Sequence, residues 1–218
     1  MSSVLRNLCS LQIVIKDWSY FPVVRIESSL KSKLHTAWPW VAIAAVLAAT
    51  VFELRRQGRL WWCAVGDLSP WAGDIGNRHT SQHLFDPYTF THVLHGFIIC
   101  GLLALVLPRL AVRWRLVLAV MTEAAWEVFE NTNFVINRYR DATAAIGYEG
   151  DSVFNSLGDI LACAVGFALA LKLGFRRTLA VFLLTELVLL LWIRDSLLLN
   201  IILLIHPMEA IKTWQMGR

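Results

Sequence analysis

The sequence predicts an all-α integral membrane helix bundle: five transmembrane helices plus a short sixth C-terminal apolar helix. Three observations predict it. Hydrophobic residues make up 57% of the 218-residue chain and charged residues only 17%, against roughly 25% charged in soluble domains. Mean hydropathy is +0.56. The apolar residues fall in runs of near-span length with basic residues at their ends, as in helices that cross a bilayer. This composition excludes a soluble globular enzyme and a disordered tail. The net charge of +4 would suit nucleic acid in a soluble protein. Here the basic residues flank apolar runs, so they imply a lipid bilayer as partner and no nucleic acid.

Residues 1–36 do not form a secretory leader. Lys16, Asp17, Arg25 and Glu27 break the apolar patches, and no small-residue cleavage site follows an apolar core. The segment reads as a cytoplasmic N-terminal stretch or as an over-extended start. Residues 37–214 make one bundle domain, with outer loops at 55–88 and 131–150. Five runs approach the roughly 20 apolar residues that a span requires: 38–54, 89–107, 112–130, 151–173 and 178–193. A sixth, 196–205, reaches about 15 Å as a helix, half a hydrocarbon core. It is either a half-span or continues into 208–214.

Positive charge orients these runs. Arg109, Arg113 and Arg115 follow the second run, and Lys172, Arg176 and Arg177 follow the fourth, with no acid among them. Both links should be cytoplasmic, which puts the N-terminus inside. Arg55, Arg56 and Arg59 run against this assignment. Cys9, Cys63, Cys100 and Cys163 then fall on different sides or within spans, so no intramolecular disulfide is expected. No CxxC occurs, and a thiolate zinc site is not expected.

On this topology the polar residues collect at the outer face. His92 and His95 begin the second run at i, i+3, one face of a helix. Glu123, Glu127 and Glu130 end the third at i, i+4, i+7. Asp151, Ser152, Asn155, Ser156 and Asp159 begin the fourth, and Glu186 lies in the fifth. Glu123, Asp159, Glu186 and His95 would lie roughly 9–15 Å below the rim. A carboxylate facing lipid there would cost about 2.5–3.5 kcal/mol or more, so these groups must face the bundle interior or a water-filled pocket.

Each group has a chemical and a structural reading. His92, His95 and Glu127 could ligate a divalent metal (zinc, iron or manganese), or hydrogen-bond between helices. Glu127, with Glu123, His95 and Asp159, could carry acid–base catalysis, or the glutamates could pair with arginine. Arg138, Arg140 and Arg194 could clamp an anion such as a lipid phosphate, or pair with Asp141, Asp195 and the glutamates. Asn155 and Ser156 would contact substrate. Asp151 or Ser152 suits an N-cap, Gly158, Ala162 and Gly166 suit close helix packing, and Trp126 suits an interfacial belt. His79 and His83 read as solvated loop histidines.

The stretch from Ser81 to the C-terminus resembles an uncharacterised bacterial multi-pass membrane protein family, domain of unknown function 2585. The matching segments are SQHLFDPYTFTHVLHGF (81–97), EAAWEVFEN (123–131), RYRDAT (138–143), GDSVFNSLGD (150–159) and IRDSLLLN (193–200). The resemblance implies a bacterial inner-membrane location and assigns no activity. A looser likeness, His on one helix and Glu on the next followed by Arg, Asp and Asn, is to the VanZ-like membrane proteins.

Three functions remain open. The first is a membrane-embedded enzyme with a periplasm-facing pocket, acting on a lipid-linked or amphipathic substrate. The second is a non-catalytic assembly or scaffold protein. The third is a small proton-coupled transporter with Glu123, Asp159 and Glu186 as relay.

Overall fold

The computed structural model describes residues 21–145 and 147–217. Among these the chain is helical and irregular, with one isolated bridge between Trp71 and Phe85. The helices are α1 (Phe21–Arg56), α2 (Thr89–Val106), α3 (Val112–Glu130), α4 (Asn133–Ala142), α5 (Val153–Leu173), α6 (Phe175–Ile193), α7 (Leu197–Ile205) and α8 (Glu209–Met216). The expectation for the N-terminal segment lies, over residues 1–20, outside the described residues. Helix α1 already begins at Phe21, well before the apolar run.

Among the described residues three helices are long and apolar enough to cross a membrane: Ala37–Arg56 within α1, α2 and α5. The pair α6–α7 passes the same test together, although the two are bent by 74°. Helix α3 has 19 residues, but Arg113, Arg115, Glu123, Glu127 and Glu130 take it beyond what length and composition alone allow. The sixth apolar run, α7, does not continue into α8; a break at His206–Met208 separates them. The expected outer loop 131–150 contains α4, whose N-cap hydroxyl, on Thr132, accepts from the amide of Val135.

Local chemistry explains the ends. Helix α1 stops at Gly58, whose φ of 85° suits glycine. The amides of Gly58 and Arg59 turn back to the carbonyls of Arg55 and Leu54, each at 3.0 Å, which satisfies carbonyls the helix leaves open. Ser152 caps α5 by accepting from the Asn155 amide at 3.1 Å. Gly174, at φ 72°, turns the chain from α5 into α6. The bend after α6 is held from inside. Glu186 accepts from the amides of Leu197 and Leu198 at 3.0 and 3.1 Å, so a carboxylate of one helix caps the positive end of the next.

The bundle belongs to the compact unit Ala42–Arg218, with α5 at its centre. Cys100, Ala119 and Phe167 join α2, α3 and α5; Val120, Ala124 and Ile160 join α3 and α5, with Ile43, Val46 and Leu47 of α1 against them. Leu94, Phe97 and Leu197 tie α2 to α7. Outward, Leu105, Val106, Leu187 and Leu191 leave an apolar exterior.

Helices α2 and α5 approach most closely at glycine. A Cβ on Gly96 would collide with the backbone of Cys163, Gly166 and Phe167, and one on Gly166 with the backbone of Val93. A Cβ on Gly158 would meet the Leu84 carbonyl. Small residues permit this backbone contact. Gly101, on the same helix, has nothing within 4 Å of a built Cβ. Gly96→Ala is therefore expected to destabilise by about 1–3 kcal/mol, and Gly101→Ala to stabilise by about 0.5–1 kcal/mol. Thermal melting in detergent compares them; equal effects would refute the close crossing.

Candidate functional site

The crossing of α2 and α5 sets the register of the polar residues one turn further out. His92 and His95 of α2 face Glu123 and Glu127 of α3 and Asp159 of α5. Nδ1 of His92 lies 2.6 Å from Oε1 of Glu123 and 3.3 Å from Oε1 of Glu127. Its Nε2 lies 3.8 Å from Oδ2 of Asp159. Nδ1 of His95 lies 2.9 and 3.1 Å from the two oxygens of Glu123. The two imidazoles are edge to face at 5.0 Å, and Trp126 stands edge-on to His95 at 6.1 Å. Glu123 thus accepts from two rings. Both oxygens of Glu127 and Oδ1 of Asp159 are buried with no hydrogen-bond donor among the described residues, and Glu127 is 0% exposed. Two sets, His92–His95–Glu123 and His92–Glu127–Glu130, bring ligand atoms within 4.8 Å of one another, the clustering that a divalent metal needs.

This cluster forms one wall of a cavity of about 840 Å³, a size common for small-molecule sites. His92, His95, Glu123, Trp126, Glu130 and Asp159 line that wall. Tyr88, Tyr139, Tyr148, Asp151 and Asp195 line another part, together with Arg59. Ser81 lines it too, in a left-handed conformation (φ 58°) held by its amide on Asp86 at 2.9 Å and its carbonyl on the Ser152 amide at 2.9 Å.

The expected site residues divide. His92, His95, Glu123 and Asp159 meet at the cavity wall. Glu127 joins the cluster from behind and does not line the cavity. Asn155 donates to the His83 carbonyl at 2.9 Å and Ser156 meets Asn131 at 3.4 Å; both stitch loops to α5, away from the cavity wall. The three arginines expected as an anion clamp hold backbone instead. Nε of Arg138 donates to the Leu204 carbonyl at 2.8 Å, Nε of Arg140 to that of Tyr148 at 2.5 Å, and Nη1 of Arg194 to that of Trp214 at 3.0 Å. They terminate helices and loops because those carbonyls would otherwise be open. Trp126, expected in an interfacial belt, packs on His95. His83, expected in solvent, is 1% exposed.

Two basic residues reach the cavity, the exposed Arg78 and Arg59; Arg59 is the one whose charge placement is anomalous in the sequence. Its neighbours explain themselves locally. Arg56 forks onto Glu53 at 2.6 and 2.7 Å, and Arg55 stands over Trp61. Arg59 donates to the Glu149 carbonyl and leaves its buried Nε without a partner.

The sequence model of a family described as "Protein of unknown function (DUF2585)" matches residues 54–217. The chain belongs to that family. A UPF0314 protein of Sinorhizobium fredii is 41% identical over 187 residues, covering 85% of this chain and 95% of its own. A UPF0314 protein of Rhizobium meliloti is 43% identical over 190 residues, 87% and 96% of the two chains. One of Brucella anthropi is 42% identical over 175 residues, 80% and 89%. No solved structure matches. The matched region takes in the end of α1, every later helix and the whole cavity wall.

At the edge of the cavity Asp151 accepts from the Tyr148 hydroxyl at 2.9 Å and from Asn131 at 2.8 Å. Burial pushes its carboxyl above the ordinary range, and these two hydrogen bonds oppose the shift. Burial likewise pushes the Tyr148 hydroxyl up, with Asp151 adding to it. A carboxyl whose folded pKa is raised contributes most below its unfolded pKa and loses that contribution as pH rises through the folded value. Asn at 151 keeps an acceptor for Asn131 and turns a donor to the tyrosine oxygen. Asp151→Asn should therefore gain melting temperature relative to the parent as pH rises from about 4 to 8. A difference constant with pH would refute the raised carboxyl.

Proposed function

We propose that this protein is a membrane-embedded enzyme that hydrolyses or transfers a group of a lipid-linked or amphipathic substrate. Its chemistry resides in His92, His95, Glu123, Glu127 and Asp159. The observation that carries this reading is the set of buried carboxylate oxygens, two on Glu127 and one on Asp159, that no donor satisfies beside a cavity of about 840 Å³. Such oxygens are costly in an apolar interior. A bundle that needed only interhelical glue would gain nothing by keeping them. Buried carboxylates beside a cavity suit acid–base work.

In this reading His95 and His92, oriented by Glu123, exchange a proton with the substrate at the cavity wall. Asp159 orients the reacting group, and Glu127 supports His92 from behind. Arg59 and Arg78, both on the cavity wall, are the cations for an anionic head group in place of Arg138, Arg140 and Arg194. The apolar exterior supports partition of the substrate from a bilayer. The charge bias of the loops supports a cavity opening to the periplasm from an inner membrane. A divalent metal held by His92, His95 and a glutamate would serve the same reaction by polarising the bond that breaks. Of the transporter reading's relay, Glu123, Asp159 and Glu186, the last is engaged in capping α7, which favours the enzyme.

The test uses detergent-purified protein with total bacterial lipid extract, with zinc, manganese or iron(II) added in turn, and mass spectrometry of released head groups. Wild type should release a head group. Glu123→Gln should reduce release by about 10²–10⁴-fold with melting temperature nearly unchanged. No release from wild type, or a Glu123→Gln variant that keeps its rate, would overturn the enzyme in favour of the scaffold.

A further inference from the structure

A second cluster of metal-binding side chains lies in the loop between α1 and α2, separate from the histidine–carboxylate site. Cys63 follows the end of α1, and His79 and His83 stand one turn apart before α2. Sγ of Cys63 lies 3.4 Å from Nδ1 of His79, and that nitrogen lies 3.1 Å from Nε2 of His83. All three ligand atoms fall within 4.8 Å of one another. Ligands at zinc–sulfur and zinc–nitrogen lengths of about 2.3 and 2.0–2.1 Å in a tetrahedron stand roughly 3.3–3.6 Å apart, and the two His79 distances are close to that spacing. His79 and His83 also have the three-residue interval that zinc sites use.

The surroundings point the same way. Nδ1 of His83 faces the Ser69 carbonyl and donates to it. That contact fixes the tautomer and turns the lone pair of Nε2 into the cluster, the arrangement that orients a metal-binding histidine from behind. His83 is 1% exposed and Cys63 6%; Trp62 covers the His83 ring edge-on at 5.8 Å. Oδ2 of Asp67 lies 4.0 Å from Nδ1 of His79, within reach of the fourth position after a side-chain rotation. The Asp67 and His79 side chains are 49% and 31% exposed, which leaves an entry path on one side. A thiolate and a carboxylate with two neutral imidazoles balance a divalent charge.

We propose that Cys63, His79, His83 and Asp67 bind one zinc-class divalent ion that ties the two ends of the loop together. The loop supplies Ala64, Val65, Asn77 and Ser81 to the cavity wall, and Asn155 joins the His83 carbonyl to α5. The ion thereby fixes the roof of the cavity. This expectation departs from the sequence reading, in which the absence of CxxC argued against thiolate zinc; the ligand set uses one cysteine.

The test is a cobalt(II) titration of the full chain, purified in detergent and stripped with a chelator. Wild type should bind an equivalent that shows a thiolate-to-cobalt charge-transfer band with strong visible bands of a four-coordinate ion, and zinc should displace it. Cys63→Ser should abolish the charge-transfer band, and His83→Ala should weaken binding at least tenfold. Cys163→Ser and the double variant His92→Ala/His95→Ala should keep the band, which separates this site from the central cluster. Absence of a thiolate band in wild type, or its survival in Cys63→Ser, would overturn the proposal. X-ray absorption of zinc-loaded wild type needs no variant: one sulfur in the first shell supports the site, and a shell of nitrogen and oxygen alone overturns it.

Discussion

The contact of two helix backbones at Gly96 and Gly166 governs the rest of this structure. Neither position has room for a Cβ, so α2 and α5 lie as close as helices can. Everything polar in the interior takes its place from that contact. Beside Gly96, His95 meets Glu123, and one turn outward His92 is brought toward Asp159; α3 closes over both with Glu123. A wider crossing would open the cluster to water and separate the imidazoles from the carboxylates.

Around this centre the bundle pairs its buried charges with backbone wherever it can. Glu186 takes two amides of α7, and Asp86 takes the amides of Ser81 and Tyr88 at 2.9 and 2.7 Å. Arg138, Arg140 and Arg194 take carbonyls. Amides and carbonyls at helix ends carry partial charge and are fixed in place, so a charge meeting them loses little solvation without return. The carboxylate oxygens left over, among the described residues, are both of Glu127 and one of Asp159, in the central cluster. Their poor satisfaction stands out beside Glu186 and Asp86, each of which holds two amides.

Much of this was legible in the sequence, and the reasons are particular. The runs at 89–107, 112–130 and 151–173 match α2, α3 and α5 closely, because hydrophobicity over a span-length window is a strong signal. The i, i+3 histidines and the i, i+4 glutamates and their meeting with Asp159 were readable because helical periodicity fixes faces. The arginines were misread. Their spacing shows charge but not the helix ends that need capping, which depend on where α7 and α8 stop. Arg59 stood only as a charge out of place and His79 and His83 as solvated loop residues for a related reason: the 57–88 loop has no period to read, and its conformation comes from contacts such as those of Ser81 with Ser152 and of His83 with Asn155. Gly96 gave no signal alone; its role exists only opposite Gly166.

The cap that Glu186 places on α7 bears on how the chain is made. Until Leu197 and Leu198 follow it out of the ribosome, this carboxylate has no amides to hold. Alone in a hydrocarbon phase it would cost about as much as a charged residue at a helix centre. Helices α6 and α7 therefore have reason to enter a bilayer together as one bent unit, with the turn already formed. Biogenesis of the C-terminal part would then be a single concerted insertion event, and truncation between the two helices would strand a charge where a translocation channel must release it.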